Sequence, residues 1–284
     1  MKKLFRFSLL VSMILSFSST VLAVDFTGDA NTELSGITED IIIAVNELYG
    51  SELDHQITEA DIDYGKAYKI YVDTNIFELP TNSVDEIRDV LENGTYIYLV
   101  PITIGTKTVV VNVQKGLPLS KDAEEILSEQ EKQEVIANTG KWIASVFTLY
   151  PAGDGRINYD AFLKNMIGNI PDGTLLVGGL PFFQDVVAII PNNKGEVESI
   201  VPFNSSYYNG QMINDMKTAS GIYDYMKIKS YINDLPALNL ELTGDHVVTS
   251  TASPITQYYV IGIFALVAVF LGAAFIIKAR QRKE

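Results

Sequence analysis

Two neighbouring carboxylates are the first side chains along this sequence whose spacing suggests chemistry. Asp61 and Asp63 are two residues apart, so an extended segment would turn both towards the same side. A pair of carboxylates can share a cation, or can act on the two sides of a glycosidic bond. The pair indicates one candidate function, a hydrolase of cell-envelope polymers. A solvated acidic loop is the alternative in a chain with 35 Asp and Glu residues.

A second group of oxygen-bearing side chains lies in the segment Asp-Gly-Arg-Ile-Asn-Tyr-Asp-Ala-Phe at positions 154–162. These nine residues resemble the second half of an EF-hand or dockerin calcium loop, in which Asp-Gly makes a sharp turn. The resemblance implies calcium ligands at Asp154, Asn158 and Asp160, and hence a calcium-dependent binding module. A turn leading into a helix is the alternative interpretation. Three other ligand positions of such a loop lack carboxylates here, because they fall on Tyr150, Ala152 and Ala161.

Catalysis through a nucleophile or a cofactor has little support in the sequence. The chain has no cysteine, which excludes a thiol nucleophile and zinc sites built on thiolates. Its two histidines, His55 and His246, lie in a polar loop and in a predicted stalk, where a base would not be held in position. Neither a Gly-x-Ser-x-Gly elbow nor a Walker-type phosphate loop is present. The sequence therefore predicts no cofactor and favours a protein that is not an enzyme.

The N-terminal end of the chain predicts export. Three basic residues within the first six positions precede an apolar stretch that ends near Phe17, and Val21-Leu22-Ala23 suits signal peptidase. Residues 1–23 are therefore predicted to be a cleaved signal peptide. An uncleaved N-terminal anchor is the alternative, although the apolar stretch is short for a bilayer span.

The C-terminal end predicts a membrane anchor. Residues 258–277 contain no charge, and their length matches the ~20 residues that a helix needs to cross the hydrocarbon of a bilayer. Tyr258 and Tyr259 begin the segment, where aromatic rings favour the membrane interface. Basic side chains follow in the tail, residues 278–284, and place it in the cytoplasm. These basic residues are Lys278, Arg280, Arg282 and Lys283.

The predicted outer part is strongly acidic. The whole chain has 21 basic and 35 acidic residues; the leader holds three of the basic ones, and the tail holds four basic and one acidic. Fourteen basic and 34 acidic residues remain, which gives a net charge of −20. Such a surface is repelled by nucleic acid, so nucleic-acid binding is not expected. It suits divalent cations or basic partners, while ordinary solubility is the simpler explanation.

Hydrophobic periodicity predicts an α+β domain over residues 24–237 and a juxtamembrane stalk over 238–257. Because the strands are joined by short turns, the sheet should be mostly antiparallel, with packed helices. The predicted helices cover 38–48, a segment with Ser83 as N-cap, most of 120–149 with an interruption, 159–167 and 211–233. The predicted strands cover 67–73, a hairpin of 95–103 with 107–114, and a second β region over 174–203.

Two Gly-Thr pairs suggest an internal duplication. Gly94-Thr95 and Gly173-Thr174 each open an apolar strand that reaches a proline, Pro101 or Pro181. The offset is 79 residues between the Gly-Thr pairs and 80 between the prolines, but few side chains match. The domain is therefore either one unit or two related halves, about 24–117 and 118–237.

These features together predict a single-pass protein of the cell membrane, with its N-terminal domain outside and its C-terminus in the cytoplasm. The short basic leader and the absence of cysteine favour a bacterium with a single membrane. The expected function is non-catalytic binding of a protein or cell-envelope partner outside the cell, while residues 258–277 contact lipid. The envelope hydrolase and the calcium-dependent binding module are the alternatives.

Overall fold

The computed structural model describes residues 24–154, 157–181, 183, 185–203 and 221–234. The predicted signal peptide, stalk, membrane segment and tail lie outside these residues. Within them, no helix is long and apolar enough to span a bilayer.

Eight described strands form one sheet with helices packed on it, and every pairing except one is antiparallel. The prediction of an α+β domain with a mostly antiparallel sheet is confirmed. The order across the sheet is β4-β3-β2-β1-β5-β6-β7-β8. The strands are β1 Tyr68–Val72, β2 Thr95–Ile104, β3 Lys107–Lys115, β4 Trp142–Pro151, β5 Leu175–Val177, β6 Val187–Pro191, β7 Val197–Pro202 and β8 Tyr223–Asp224.

Seven described α-helices accompany the sheet, together with short 3₁₀ turns. The first four-residue turn of helix ends at Glu33, whose carboxylate becomes important below. The helices are α1 Ala30–Glu33, α2 Thr38–Tyr49, α3 Val84–Glu92, α4 Lys121–Ile126, α5 Glu129–Asn138, α6 Tyr159–Ile167 and α7 Tyr225–Asp234.

The single parallel pairing, between β1 and β5, lies in the middle of the sheet. Tyr71 is the partner of Val177, and the amide of Gly178 donates to the carbonyl of Tyr71 at 2.8 Å. The strands β2, β3 and β4 follow β1 on one side, and β6, β7 and β8 follow β5 on the other. The parallel contact therefore joins two antiparallel arrays into one continuous sheet.

Alternation along β1 shows how both faces of the sheet are covered. Ile70 points to one face and packs with Tyr159 and Leu163 of α6. Tyr71 points to the other face, where α3 and α7 cover the β5–β7 side. On that same face α2 packs over β2, β3 and β4 through Ile41 and Val45. The central strands therefore have apolar side chains on both faces, whereas β4 lies at an edge.

The hairpin of β2 and β3 agrees with the sequence prediction, including its turn at Gly105-Thr106. Gly105 has a φ of +55°, a conformation that glycine adopts without steric cost. Pro101, predicted to mark an edge or a bulge, lies beyond Leu99, the last residue of β2 that pairs with β1. Proline is tolerated there because β2 has β3 as its only paired neighbour among the described strands at that point.

Two predicted helices are wrong where the structure has strands. Residues 142–149 were expected to continue the helical region, but they form β4, paired along its length with β3. The segment is rich in β-branched and aromatic residues and contains no charge, which suits a strand once β3 offers its edge. Tyr223, expected within a helix over 211–233, lies in β8, and α7 starts at Tyr225; residues 211–220 lie outside the described residues.

Lys229 joins α7 to the loop that precedes α3. Its Nζ donates to the carbonyls of Leu79 and Thr81 and to Oδ1 of Asn82, each at 2.8 Å. Lys229 is buried, so its removal would leave these acceptors without their donor.

We predict that Lys229→Met lowers the free energy of unfolding by about 1–3 kcal/mol, the cost of leaving buried acceptors without their donor. Lys227→Met, on the exposed side of the same helix, should change it by less than about 0.5 kcal/mol. Denaturant unfolding followed by Trp142 fluorescence would measure both. Equal effects of the two substitutions would contradict this role for Lys229.

Candidate interaction site

Two of the three side chains predicted to bind calcium, Asn158 and Asp160, have hydrogen-bond partners within the fold. Asn158 is the N-cap of α6, and its Oδ1 accepts from the amide of Ala161 at 2.9 Å. Asp160 accepts a hydrogen bond from the hydroxyl of Tyr68 at 3.4 Å, and burial raises the pKa of its carboxyl. The amide of Asp154 donates to the Pro151 carbonyl in a turn. Residues 158–162 therefore form the capped start of α6, and the described residues contain no metal-binding group of three His, Cys, Asp or Glu.

The acidic pair Asp61 and Asp63 is also engaged locally. Asp61 closes a capping box with Thr58, accepting from its amide and its hydroxyl at 2.8 Å. These hydrogen bonds lower the pKa of Asp61, and His55 lies 3.4 Å from its Oδ1. Asp63 caps the next 3₁₀ turn through the amide of Gly65. Both carboxylates therefore order the loop before β1. The predicted flanks of the membrane anchor, residues 258–259 and 278–283, lie outside the described residues.

A lysine surrounded by tyrosines lies at the centre of the sheet. Lys69 of β1 places its Nζ 2.6 Å from Glu92 Oε2, 4.2 Å from the ring centre of Tyr96 and 5.1 Å from that of Tyr71. The hydroxyl of Tyr71 donates to the other oxygen of Glu92. Burial of Glu92 raises the pKa of its carboxyl, but the hydrogen bonds from Lys69 and Tyr71 outweigh that effect and lower it. The charge of Lys69 is thus balanced within the cluster.

The same cluster continues to the edge of the sheet. Tyr96 donates to Oε1 of Glu33 at 2.8 Å and packs against Trp142 at the start of β4, with ring centres 5.6 Å apart. Lys115 lies over the rings of both Tyr96 and Trp142. Burial is the main cause, and the nearby Glu33 carboxylate the second cause, of a raised pKa in both Tyr96 and Tyr98. Both tyrosines therefore stay protonated at neutral pH. A tyrosinate nucleophile is therefore not favoured, and the cluster ties α1 and α3 to the sheet.

Beside Trp142, the chain between β3 and β4 forms a protruding helical segment, which we call the flap (residues 116–141). Its base is tied by the amide of Gly116 to the carbonyl of Lys141, and by the amide of Gly140 to the carbonyl of Gly116, both at 2.8 Å. A Cβ at Gly116 would lie 2.2 Å from the carbonyl oxygen of Asn138. Glycine is therefore needed at position 116, where the two chain segments at the base of the flap approach each other.

The flap exposes apolar side chains. Leu117, Ile126 and Ile136 are 68%, 65% and 53% exposed, the highest values among the large apolar residues described. The helix α5 has no buried residue, and the described side chains of α4 are also exposed or half-buried. The flap therefore does not pack its apolar residues into the cores of the described part of the chain.

The edge strand β4 lies next to the flap. All ten of its residues are partly or mainly exposed, and none carries a charge. Among the described strands β4 pairs only with β3. A long, uncharged edge strand is open to pairing with another chain unless it is protected. The edge is partly protected: helix α2 and the turn before it, residues 35–37, contact β4, and the hydroxyl of Tyr49, whose pKa is raised by burial and by Glu52, donates to the carbonyl of Phe147 at 2.9 Å.

Comparisons with known proteins give no relative for this chain: no family model, no curated protein and no solved structure matches it. The fold and the exposed surfaces are therefore the basis for any functional proposal.

Sequence reasoning missed both the lysine–tyrosine cluster and the exposed edge. The cluster joins residues that are far apart in the chain, from Glu33 to Trp142, so no local motif predicts it. The spacing of two residues between Lys69 and Tyr71, and between Tyr96 and Tyr98, is the one local sign that these side chains share a face of the sheet. The edge strand is not predicted because the pattern of residues 142–149 favours a helix.

We predict that Glu92→Gln reduces the loss of stability in acid. A carboxyl whose pKa is lowered in the folded state stabilises the protein above its unfolded pKa, near 4.5, and this contribution disappears as the pH falls through the folded pKa. Glu92 is partly exposed, so the expected difference is about 1 kcal/mol or less.

Urea unfolding at about pH 6 and about pH 3 would measure this difference. Glu92→Gln should lose less stability between the two pH values than the unsubstituted protein, whereas the exposed Glu86→Gln on the same helix should lose as much. An unchanged acid loss in Glu92→Gln would show that the Lys69–Glu92 contact does not stabilise the fold.

Proposed function

We propose that this protein is a membrane-anchored, extracytoplasmic and non-catalytic domain that binds a protein or cell-envelope partner. The observation that carries the proposal is the flap, where Leu117, Ile126 and Ile136 are exposed together on one protruding segment. Several large apolar side chains exposed within one segment of 26 residues are a feature that interaction surfaces commonly have. The partner would bind the flap and the adjacent strand β4.

The topology that we propose supports such a role. The leader, residues 1–23, directs export, and residues 258–277 hold the protein in the bilayer of a bacterium with a single membrane. The domain is then held outside the cell near the membrane, where it can meet envelope components.

The two alternative functions have less support. A hydrolase that uses Asp61 and Asp63 would need carboxylates free to reach a substrate, but both cap turns in the loop before β1. A calcium module would need oxygens from Asn158 and Asp160, which are bound to Ala161 and Tyr68. The geometry of these residues therefore favours neither the hydrolase nor the calcium module.

We predict that the flap contacts the partner in cells. A photo-crosslinking amino acid at position 126 or 136 of the full-length protein should give a crosslink to one specific membrane or envelope protein, identified by mass spectrometry. The matched control is position 226, because Met226 on α7 is also 49% exposed and apolar but lies on the other half of the sheet.

The outcome at the two kinds of position decides the proposal. Crosslinks at 126 or 136 that are absent at 226 would support it. The same set of crosslinked proteins at all three positions, or no crosslink from an abundant and folded protein, would contradict a partner that binds the flap.

A further inference from the structure

We propose that the partner adds a strand to the sheet: an extended, basic polypeptide segment pairs with the edge of β4 beside the acidic flap. This inference rests on the proposed binding function and specifies its mode. In such strand addition, backbone hydrogen bonds give affinity, and side chains at alternate positions give specificity.

The first support is the composition of the edge. Natural edge strands are commonly protected by charged residues, especially lysine, or by being very short. β4 has ten residues without a charge, so its central part lacks this protection. Pairing with β3, in which Val111 lies opposite Phe147, fixes one face of β4 against the core. The other edge of the sheet is β8, which has only two residues.

The second support is that the protections present are partial. A β-bulge between Asn112 and Val113 of β3 leaves Ser145 of β4 without a residue opposite it, and such bulges disturb pairing only locally. The regular stretch from Val146 follows the bulge. Tyr49 covers the single carbonyl of Phe147, and a side-chain hydroxyl can be displaced by a backbone amide at little net cost in hydrogen bonds.

Charge indicates the chemistry of the partner. The flap carries six acidic and three basic residues, a net charge of −3, and the predicted outer part as a whole is acidic. A segment with Lys or Arg at alternate positions would gain from this field during encounter and binding. A second copy of this chain brings the same acidic flap and an equally uncharged β4, so it gains no electrostatic attraction.

The test uses peptides as probes and the full-length protein in phosphatidylcholine nanodiscs, whose lipid has no net charge. A labelled peptide of about nine alternating Lys and Val residues is compared with the same peptide carrying a central proline and with a Glu–Val version. Proline removes a backbone donor and cannot enter a ladder, while the Glu–Val peptide keeps the strand pattern and reverses the charge. Fluorescence anisotropy gives the affinities.

The matched protein variants are Val146→Lys and Val90→Lys. Both add one positive charge at a partly exposed or exposed valine, but only Val146 lies on β4. We expect the Lys–Val peptide to bind the unsubstituted protein and Val90→Lys equally. The proline and Glu–Val peptides, and the Val146→Lys variant, should each weaken binding by about tenfold or more.

Several results would overturn the inference. They are no binding of the Lys–Val peptide, equal binding of the proline peptide, or a dimer in sedimentation that Val146→Lys dissociates, which would assign the edge to a second copy. If Val146→Lys fails to fold, the proline comparison on the unsubstituted protein still decides. If the peptide test fails but crosslinks at 126 or 136 are specific, the proposed function stands and only strand addition is ruled out.

Discussion

The fold depends on the parallel pairing of β1 with β5. That contact joins two antiparallel arrays, so β1 has neighbours on both sides and helices on both faces. A strand so enclosed must satisfy every polar group within the protein. Its one long charged side chain, Lys69, is accordingly bound by Glu92 and lies over two tyrosine rings. Helices α1 and α3 are positioned by the same cluster, through Glu33 and Glu92.

This internal balance has a consequence for function. At the centre of the sheet, Lys69 contacts Glu92 and lies over Tyr96, and Tyr71 donates to Glu92, so these side chains are used to hold the fold together. Asp61 and Asp63 likewise cap turns in the loop before β1, and Asp160 accepts a hydrogen bond from Tyr68. Among the described residues, the three most exposed large apolar side chains lie on one side of the sheet, in the flap next to β4. Exposed apolar side chains and a strand that pairs only with β3 among the described strands occur there together, which is why we propose binding at that edge.

Elements whose signals are local could be predicted from the sequence. The helix 159–167 and the hairpin around Gly105 were predicted closely because capping and turn residues act over a few positions. Strand β4 was not, because the bulge at Ser145 shifts its alternation by one residue. Its inward residues Trp142, Ala144, Phe147 and Leu149 then have spacings that suit a helix as well as a strand. The β1–β5 pairing and the Lys69 cluster join distant segments, and no local pattern encodes such contacts.

The most direct test of a partner at this edge is backbone amide exchange of the full-length protein, in native membranes and after purification. Exchange of residues 142–151 reports whether the outer backbone groups of β4 are paired. We predict slower exchange in β4 and the flap in native membranes than after purification, with β7 unchanged. Identical exchange of β4 in both states, with the protein folded in each, would contradict the claim that this edge of the sheet is the site of binding.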